Sequence, residues 1–250
     1  MRITGLQKIY RSKDGSDIHA LADINLDIQP AELISVVGPS GCGKTTLLKI
    51  LAGILDRSAG EVFMQGHRLR GPSRAIGVVF QAPVLLPWRT VLGNVMVPVE
   101  IQRRDRAEFE ARARQLIAAV GLSGFENRPI GTLSGGQMQR VLFARVMLQD
   151  ARLIVLDEPF NAIDSKTTAD LLALVQRWHG EGRTVLAALH DMERVRKHFP
   201  DTLLLARGPV AWGPTAEVLT AENLMVAMRM CEAFDDSAAA CADDDHSQAA

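Results

Sequence analysis

Leu33-Ile34-Ser35-Val36-Val37-Gly38-Pro39-Ser40-Gly41-Cys42-Gly43-Lys44-Thr45-Thr46-Leu47-Leu48 is the stretch on which the fold turns. It opens as a compact, mainly apolar run and passes straight into a glycine-rich segment. From Lys44 to Leu51 it is apolar-rich without a breaker, and Gly53 stops it. A strand, a glycine loop and a helix in that order begin a βα unit.

The same grammar recurs outward from this stretch. Residues 74–81 predict a second buried strand, followed by a Pro-rich stretch with Pro83, Pro87 and Pro98. From Asp105 to Val120 the pattern is helical, with Phe109, Ala113, Leu116, Ile117 and Val120 on one face. Ser134 is an N-cap for a helix running to about Leu148. Leu153 to Leu156 predicts a buried strand ending in Asp157-Glu158-Pro159, Thr167 to His179 an amphipathic helix, and Thr184 to Leu189 another buried strand ending at His190. Residues 203–205 and 210–212 predict a final hairpin. The first thirty residues predict short strands with a turn at Asp14-Gly15-Ser16. Strands bounded by helices give an α/β architecture with a mainly parallel sheet. One domain over 1–230 is expected, with the helical stretch from about 85 to 150 as its own subdomain. An acidic tail over 231–250 is expected to lack structure.

Composition narrows the function classes. With 250 residues, 47% hydrophobic and 23% charged, the chain is neither disordered throughout nor a fibrous repeat. Its most apolar stretch, Val141 to Phe160, is broken by Arg145, Asp150, Arg152 and Asp157, so no segment is expected to span a bilayer. The first residues, MRITGLQKIYRSKDG, lack the apolar region of a signal peptide, and a cytosolic location is expected. Three cysteines are too few for a disulfide framework. From Cys231 onward there are six acids and no Lys or Arg, leaving 28 basic against 23 acidic groups before it. That mild excess suits an anionic ligand or membrane face but decides neither.

Gly38 to Thr45 matches G-x-x-x-x-G-K-[ST] at every position, in the strand–loop–helix context the motif requires. Glycines let backbone N–H groups approach phosphates and point inward as an anion nest, and the helix adds the positive end of its dipole. Lys44 supplies a point charge to the β- and γ-phosphates of a nucleotide, and the Thr45 hydroxyl is a hard oxygen ligand for Mg²⁺; the loop alone does not separate kinases, GTPases and ATPases. A chance Gly-rich turn before a helix does not account for the full match. Cys42 reads as a small side chain that fits the loop, although a helix N-terminus can lower a thiol pKa. Asp157, at the end of an apolar strand, suits Mg²⁺, and the adjacent Glu158 suits polarising a water. A helix-capping pair is the alternative, against which Pro159 argues for a fixed turn.

Over roughly residues 1–220 the motifs, in order, resemble those of the ATP-binding cassette (ABC) family. Leu133-Ser134-Gly135-Gly136-Gln137 is similar to that family's signature sequence, Gln81 to its Q-loop glutamine, Asn161-Ala162-Ile163-Asp164 to its D-loop, and His190 to its switch histidine. Tyr10 falls where the family places an aromatic that stacks on adenine. The resemblance implies a P-loop NTPase (RecA-like) core with an antiparallel β subdomain and an inserted α-helical subdomain. It implies that ATP is bound by Tyr10, by Gly38, Pro39, Ser40, Gly41, Cys42, Gly43, Lys44, Thr45 and Thr46, and by Ser134, Gly135, Gly136, Gln137 and Asp164, with Ser134 and Gly136 facing the γ-phosphate held by a second copy. Mg²⁺ falls to Thr45, Gln81 and Asp157, and catalysis to Glu158, His190 and Gln81. Simpler readings stay open for three of these: a satisfied strand-end histidine, an ordinary strand-end glutamine, and a tyrosine that merely packs.

The resemblance further implies a head-to-tail homodimer, two integral-membrane permease subunits contacted through the loop after Gln81, a substrate-binding protein, and a place at the cytoplasmic face of the membrane. Val79 to Val91, with Pro87-Trp88-Arg89, resembles the ATPases of nitrate, sulfonate and taurine importers. From about Gly121 onward, Phe160 to Asp164 and Ala211 to Thr215 resemble those of zinc and manganese importers. Coupling runs through the first half, so a nitrate-, sulfonate- or taurine-type anion ranks first as cargo and a metal ion second. An exporter or lipoprotein-release ATPase is separated mainly by the Pro87-Trp88-Arg89 loop. A non-transport ATPase acting on nucleic acid ranks lower, because the chain has one cassette, no heptad insertion and only 5% aromatic residues; no nucleic acid is expected as a partner. Met225, Met228, Met230, Cys231, Cys241 and His246 match no standard closed metal site, and Met-rich helix ends more often pack.

Overall fold

The computed structural model describes residues 1–11 and 17–239. The chain falls into two compact units, one formed by residues 1–28, 34–70 and 189 onward, the other by 29–33 and 71–188.

In the first unit, β1 (Arg2–Arg11) pairs antiparallel with β2 (Asp17–Asp27), placing Tyr10 opposite Ile18. β3 (Leu33–Val37) is buried along its whole length and feeds α1 (Lys44–Leu51). β4 (Ala59–Met64) pairs antiparallel with β1 and with β5 (His67–Arg68), giving a four-stranded sheet in the order β2-β1-β4-β5. Ile3, Leu6, Leu21, Ile24 and Val62 are buried, and the three-residue spacing of Ile3 to Leu6 coincides with an irregularity in the β1–β2 register that breaks simple alternation. The second unit begins its ladder with β6 (Ile76–Val79), shorter than the 74–81 expected from sequence.

That ladder continues through a long helical excursion. α2 (Val91–Val95), α3 (Val97–Ile101), α4 (Arg106–Ala119) and α5 (Gly135–Gln149) lead to β7 (Leu153–Asp157). α6 (Ser165–Gly180) then leads to β8 (Thr184–Ala188), and β6, β7 and β8 pair in parallel with Val79 opposite Leu156 and Val155 opposite Leu186. Their near-continuous apolar burial is what a parallel sheet covered on both faces demands. The helices of the 85–150 stretch fall in one compact unit with these strands. Gly77 shows why: a Cβ there would come 2.9 Å from a Val146 methyl, so the glycine lets α5 lie directly on β6. Phe143 of α5 also stacks on Trp178 of α6 at 5.2 Å, both rings buried.

The chain returns to the first unit with α7 (Met192–His198), β9 (Asp201–Ala206), β10 (Gly208–Pro214), α8 (Thr215–Val218) and α9 (Ala221–Ala239). β9 runs parallel to β3 and antiparallel to β10, which is the hairpin read from sequence. One expectation needs correction: the N-terminal strands are long rather than short, and their expected turn at 14–16 lies outside the described residues. α9 ends at Ala239, and the rest of the acidic tail expected over 231–250, with Cys241 and His246, lies outside the described residues. Among the described residues no helix is long and apolar enough to cross a membrane, and no cluster of His, Cys, Asp or Glu is arranged to hold a metal ion.

Candidate active site

The glycine loop belongs to the first unit, and its conformation is set from beneath. Gly38 leaves β3 with φ 155°, where a Cβ would lie 2.0 Å from the Leu205 carbonyl oxygen of β9, so only glycine fits. Arg207, in the β9–β10 turn, donates its N–H to the Cys42 carbonyl at 2.9 Å and its guanidinium Nη1 to His19 O of β2 at 3.0 Å. The loop is thereby tied to two strands. Gly43 is the N-cap of α1 with φ 100° and offers no side-chain cap. Lys44 is nearly buried, and its Nζ donates to Gly38 O and Pro39 O at 2.8 Å each and reaches Cys42 Sγ at 3.7 Å. The ammonium thus closes the loop on itself and holds the phosphate-ready shape. Thr45 and Thr46 follow in the first turn of α1, half-buried.

Cys42 is fully buried, and that burial pushes its thiol up against the opposing pull of the Lys44 ammonium. A reactive thiolate is therefore not what the loop builds, and the reading of Cys42 as a small packing residue stands. Two further sequence-predicted residues lie in this unit. Tyr10 is 39% exposed, with Lys8 Nζ 5.0 Å from its ring centroid, so it does not merely pack in the core. His190 is exposed rather than a satisfied buried histidine. The next residue, Asp191, caps α7 by accepting from Arg194 N at 3.0 Å, which holds its carboxyl below the usual range.

The second unit gathers the carboxylates and the signature. Asp157 ends β7 fully inside the fold at 3% exposure. Glu158 follows with φ 47°, a left-handed conformation that costs a non-glycine residue about 1–3 kcal/mol. Its N–H donates to Ala188 O of β8 at 3.1 Å, and Pro159 comes next, so the turn is fixed from both sides. The Glu158 side chain is held as well: its Oε2 accepts from Gln81 Nε2 at 3.0 Å and from Asn161 Nδ2 at 3.3 Å. Gln81 and Glu158 are thus joined side chain to side chain across 77 residues of sequence.

Ser134 caps α5 in a full capping box: its Oγ accepts from Gln137 N at 3.3 Å, and Gln137 Oε1 accepts from Ser134 N at 2.9 Å. Gly135 and Gly136 form the first turn. A Cβ at Gly136 would sit 3.5 Å from Asp164 Oδ2 and from Thr167, so the signature and the Asp164 turn are packed together. Asp164 caps α6 by accepting from Thr167 N at 2.8 Å. The Thr167 backbone N–H and then its hydroxyl hold the Asp164 carboxyl below the usual range. Arg140 ties the two helices, donating to Thr167 Oγ1 at 3.2 Å and pairing with Asp170 at 2.7 Å.

Sequence reasoning missed the roles of Asn161, Arg140 and Arg207. In the sequence Asn161 is only one position of the Asn161-Ala162-Ile163-Asp164 resemblance. The other two touch their partners across long sequence separations that no local pattern reveals.

Residues 21–161 match the family model described as "ABC transporter". The chain belongs to the ABC transporter family. It is 41% identical over 210 residues to the taurine import ATP-binding protein TauB of Pseudomonas putida, the match covering 84% of this chain and 80% of that one. The TauB of Yersinia pestis bv. Antiqua is 40% identical with the same coverage. Among solved structures, the chain is similar to the ATP-binding cassette MJ0796 in a dimeric post-hydrolysis state bound to ADP and Pi. There the TM-score is 0.79 at 30% identity, covering 86% of this chain and 98% of that one. A second dimeric structure of MJ0796, titled a bacterial ABC transporter cassette, matches equally. The fold is that of the ABC ATPase cassettes, a P-loop NTPase, and the chain is an ATPase of this ABC transporter family.

Proposed function

We propose that this chain is the ATP-hydrolysing subunit of an importer for taurine or a related sulfonate- or nitrate-type anion. The observation that carries the reading is 40–42% identity to taurine import ATP-binding proteins from several organisms, running across 84% of the chain and through the motifs. ATP and Mg²⁺ are its ligands. Tyr10 stacks on the adenine, the loop from Gly38 to Thr46 cradles the phosphates, and Lys44 neutralises the β- and γ-phosphates. Mg²⁺ falls to Thr45, Gln81 and Asp157. Held by these residues, the ion would supply positive charge against the charge that develops on the phosphates.

Glu158 orients water and takes its proton, and His190 donates a hydrogen bond toward the γ-phosphate. A second copy contributes Ser134, Gly135, Gly136, Gln137 and Asp164, so that two cassettes close head to tail on two ATPs. Two permease subunits dock on the segment after Gln81, a binding protein delivers the anion, and the ATPase works at the cytoplasmic face of the membrane. The TauB relatives support the anion ranked first over a zinc or manganese cargo.

The test is ATP turnover by the subunit reconstituted with the permease and binding protein that co-purify with it. Taurine or a sulfonate is expected to stimulate turnover. Stimulation by zinc or manganese instead would overturn the cargo, and co-purification without any membrane protein would overturn the importer.

A further inference from the structure

The segment 82–90 has no helix or strand, yet its backbone is held at successive points by two side chains from elsewhere in the same unit. Asn94 of α2 is fully buried beneath it. Its Oδ1 accepts from Leu86 N at 2.8 Å, while its Nδ2 donates to Leu86 O and Thr90 O at 3.1 Å each. Arg145 of α5 completes the set. Its Nη1 donates to Val84 O at 2.9 Å, its Nη2 to Asn94 Oδ1 at 2.8 Å, and its Nε to Asn94 O at 3.0 Å. Leu86 O also accepts from Arg89 N at 3.1 Å.

These three acceptors of Arg145 are neutral oxygens. Sinking a guanidinium among them costs desolvation that an apolar side chain would avoid, and burial brings its pKa down to about 10, with Arg89 adding to the effect. An arrangement retained at that cost fixes geometry. What it fixes points outward: Trp88 is 77% exposed and Val84 54% exposed, both on the braced segment. A large indole held in the open by an ordered backbone is the form of an anchor residue awaiting a pocket.

We propose that Asn94 and Arg145 are positioning residues for permease docking: they set the 82–90 backbone before any partner arrives, so that Trp88 and Val84 meet an apolar pocket on a permease subunit already in place. This rests on the reading above that the segment after Gln81 faces the permease. Preorganisation predicts that loosening the brace weakens docking while leaving nucleotide chemistry alone, since neither residue belongs to the nucleotide site.

The experiment compares wild type, Arg145→Lys, Arg145→Gln and Trp88→Ala, first as the isolated full chain and then with the permease pair in nanodiscs. Lys keeps the charge and loses the fork; Gln keeps polarity and loses the charge. In both Arg145 variants, hydrogen exchange at the Leu86 and Arg89 amides should rise by about tenfold. The kcat and KM for ATP of the isolated chain should stay within about twofold of wild type, and affinity for the permease pair should fall by about tenfold. Should Arg145→Gln fail to fold, Arg145→Lys carries the test. Unchanged exchange protection overturns the brace, and lost protection with intact permease affinity overturns its role in docking. Intact affinity in Trp88→Ala overturns the docking reading itself.

Discussion

Two helix N-termini in this chain, each at a glycine-bearing motif, are finished differently. α1 begins at Lys44 behind Gly43, a residue with no side chain to offer as a cap. α5 begins at Gly135 behind Ser134, where the capping box already engages the N–H of Gln137 and the N–H of Ser134. An uncapped first turn keeps its orphan donors for a ligand, whereas a capped one has already satisfied part of that demand. The glycine loop is shaped by Lys44, Leu205 and Arg207 without help from a second molecule. Under the function proposed above, it is a standing phosphate site, whereas the signature helix would have to turn its Ser134 hydroxyl away from Gln137 to receive a phosphate. That difference in local chemistry predicts strong binding by the single chain and conditional binding by the pair.

The sharpest test removes chemistry and leaves both helix ends untouched. Glu158→Gln keeps the shape but not the proton acceptor. Its ATP turnover is expected to fall by about 10²–10⁴-fold, with ATP binding near normal and a closed dimer accumulating on size-exclusion chromatography. Undiminished turnover would sink the assignment of the base. Next in size is Lys44→Ala, which removes the ammonium that closes the loop onto Gly38 O and Pro39 O. Nucleotide affinity should drop by about 100-fold, since a charge-assisted contact and the loop's own closure are lost together. Titration calorimetry with ATP checks it, and wild-type affinity would mean that α1 alone holds the phosphates.

Ser134→Ala probes the other end and should do less to the single chain. Losing the cap costs about 1 kcal/mol, which in a chain of this size lowers the thermal midpoint by about 2–4 °C. ATP affinity of the isolated chain should stay within about twofold. In the Glu158→Gln background, however, the ATP-driven dimer should be lost. A loss of affinity by the single chain would erase the distinction between the two helix ends.

The sequence made the first of these ends fully legible and the second nearly so. Gly38 to Thr45 is a local pattern whose spacing carries its own geometry, and Ser134 with Gln137 three residues on is a capping box readable by eye. β7 could be read too, because a buried parallel strand shows as an apolar run closed by Asp157. What stayed hidden depends on contacts between distant segments. Asn94 sits in the apolar run Val91 to Met96 and Arg145 in Leu142 to Leu148. Nothing in either local run marks the two as halves of a brace. The donation from Asn161 to Glu158 was equally hidden, because it depends on the left-handed turn at Glu158, which no propensity announces. The close seat that Gly77 gives α5 was hidden in the same way, since it joins residues 77 and 146.

The smallest predicted effect concerns the cap beside the signature. Asp164 accepts from the Thr167 backbone N–H and hydroxyl, and these bonds favour its charged form, so its pKa lies below the ordinary 3.8. For a depressed carboxylate, the stabilisation is fully present above the ordinary value and is lost as pH falls through the lowered one. Asp164→Asn keeps a capping oxygen but cannot titrate. The gap between wild type and Asp164→Asn in urea midpoint should be constant from neutral pH down to about pH 4 and then close as the carboxylate takes up its proton. Because Asp164 lies against Gly136, the same substitution is expected to leave ATP affinity of the single chain intact while weakening the Glu158→Gln dimer. An urea-midpoint gap that widens in acid would mean that Asp164 is stabilised protonated. The cap would then be an acid donating to its neighbours instead of an anion accepting from Thr167.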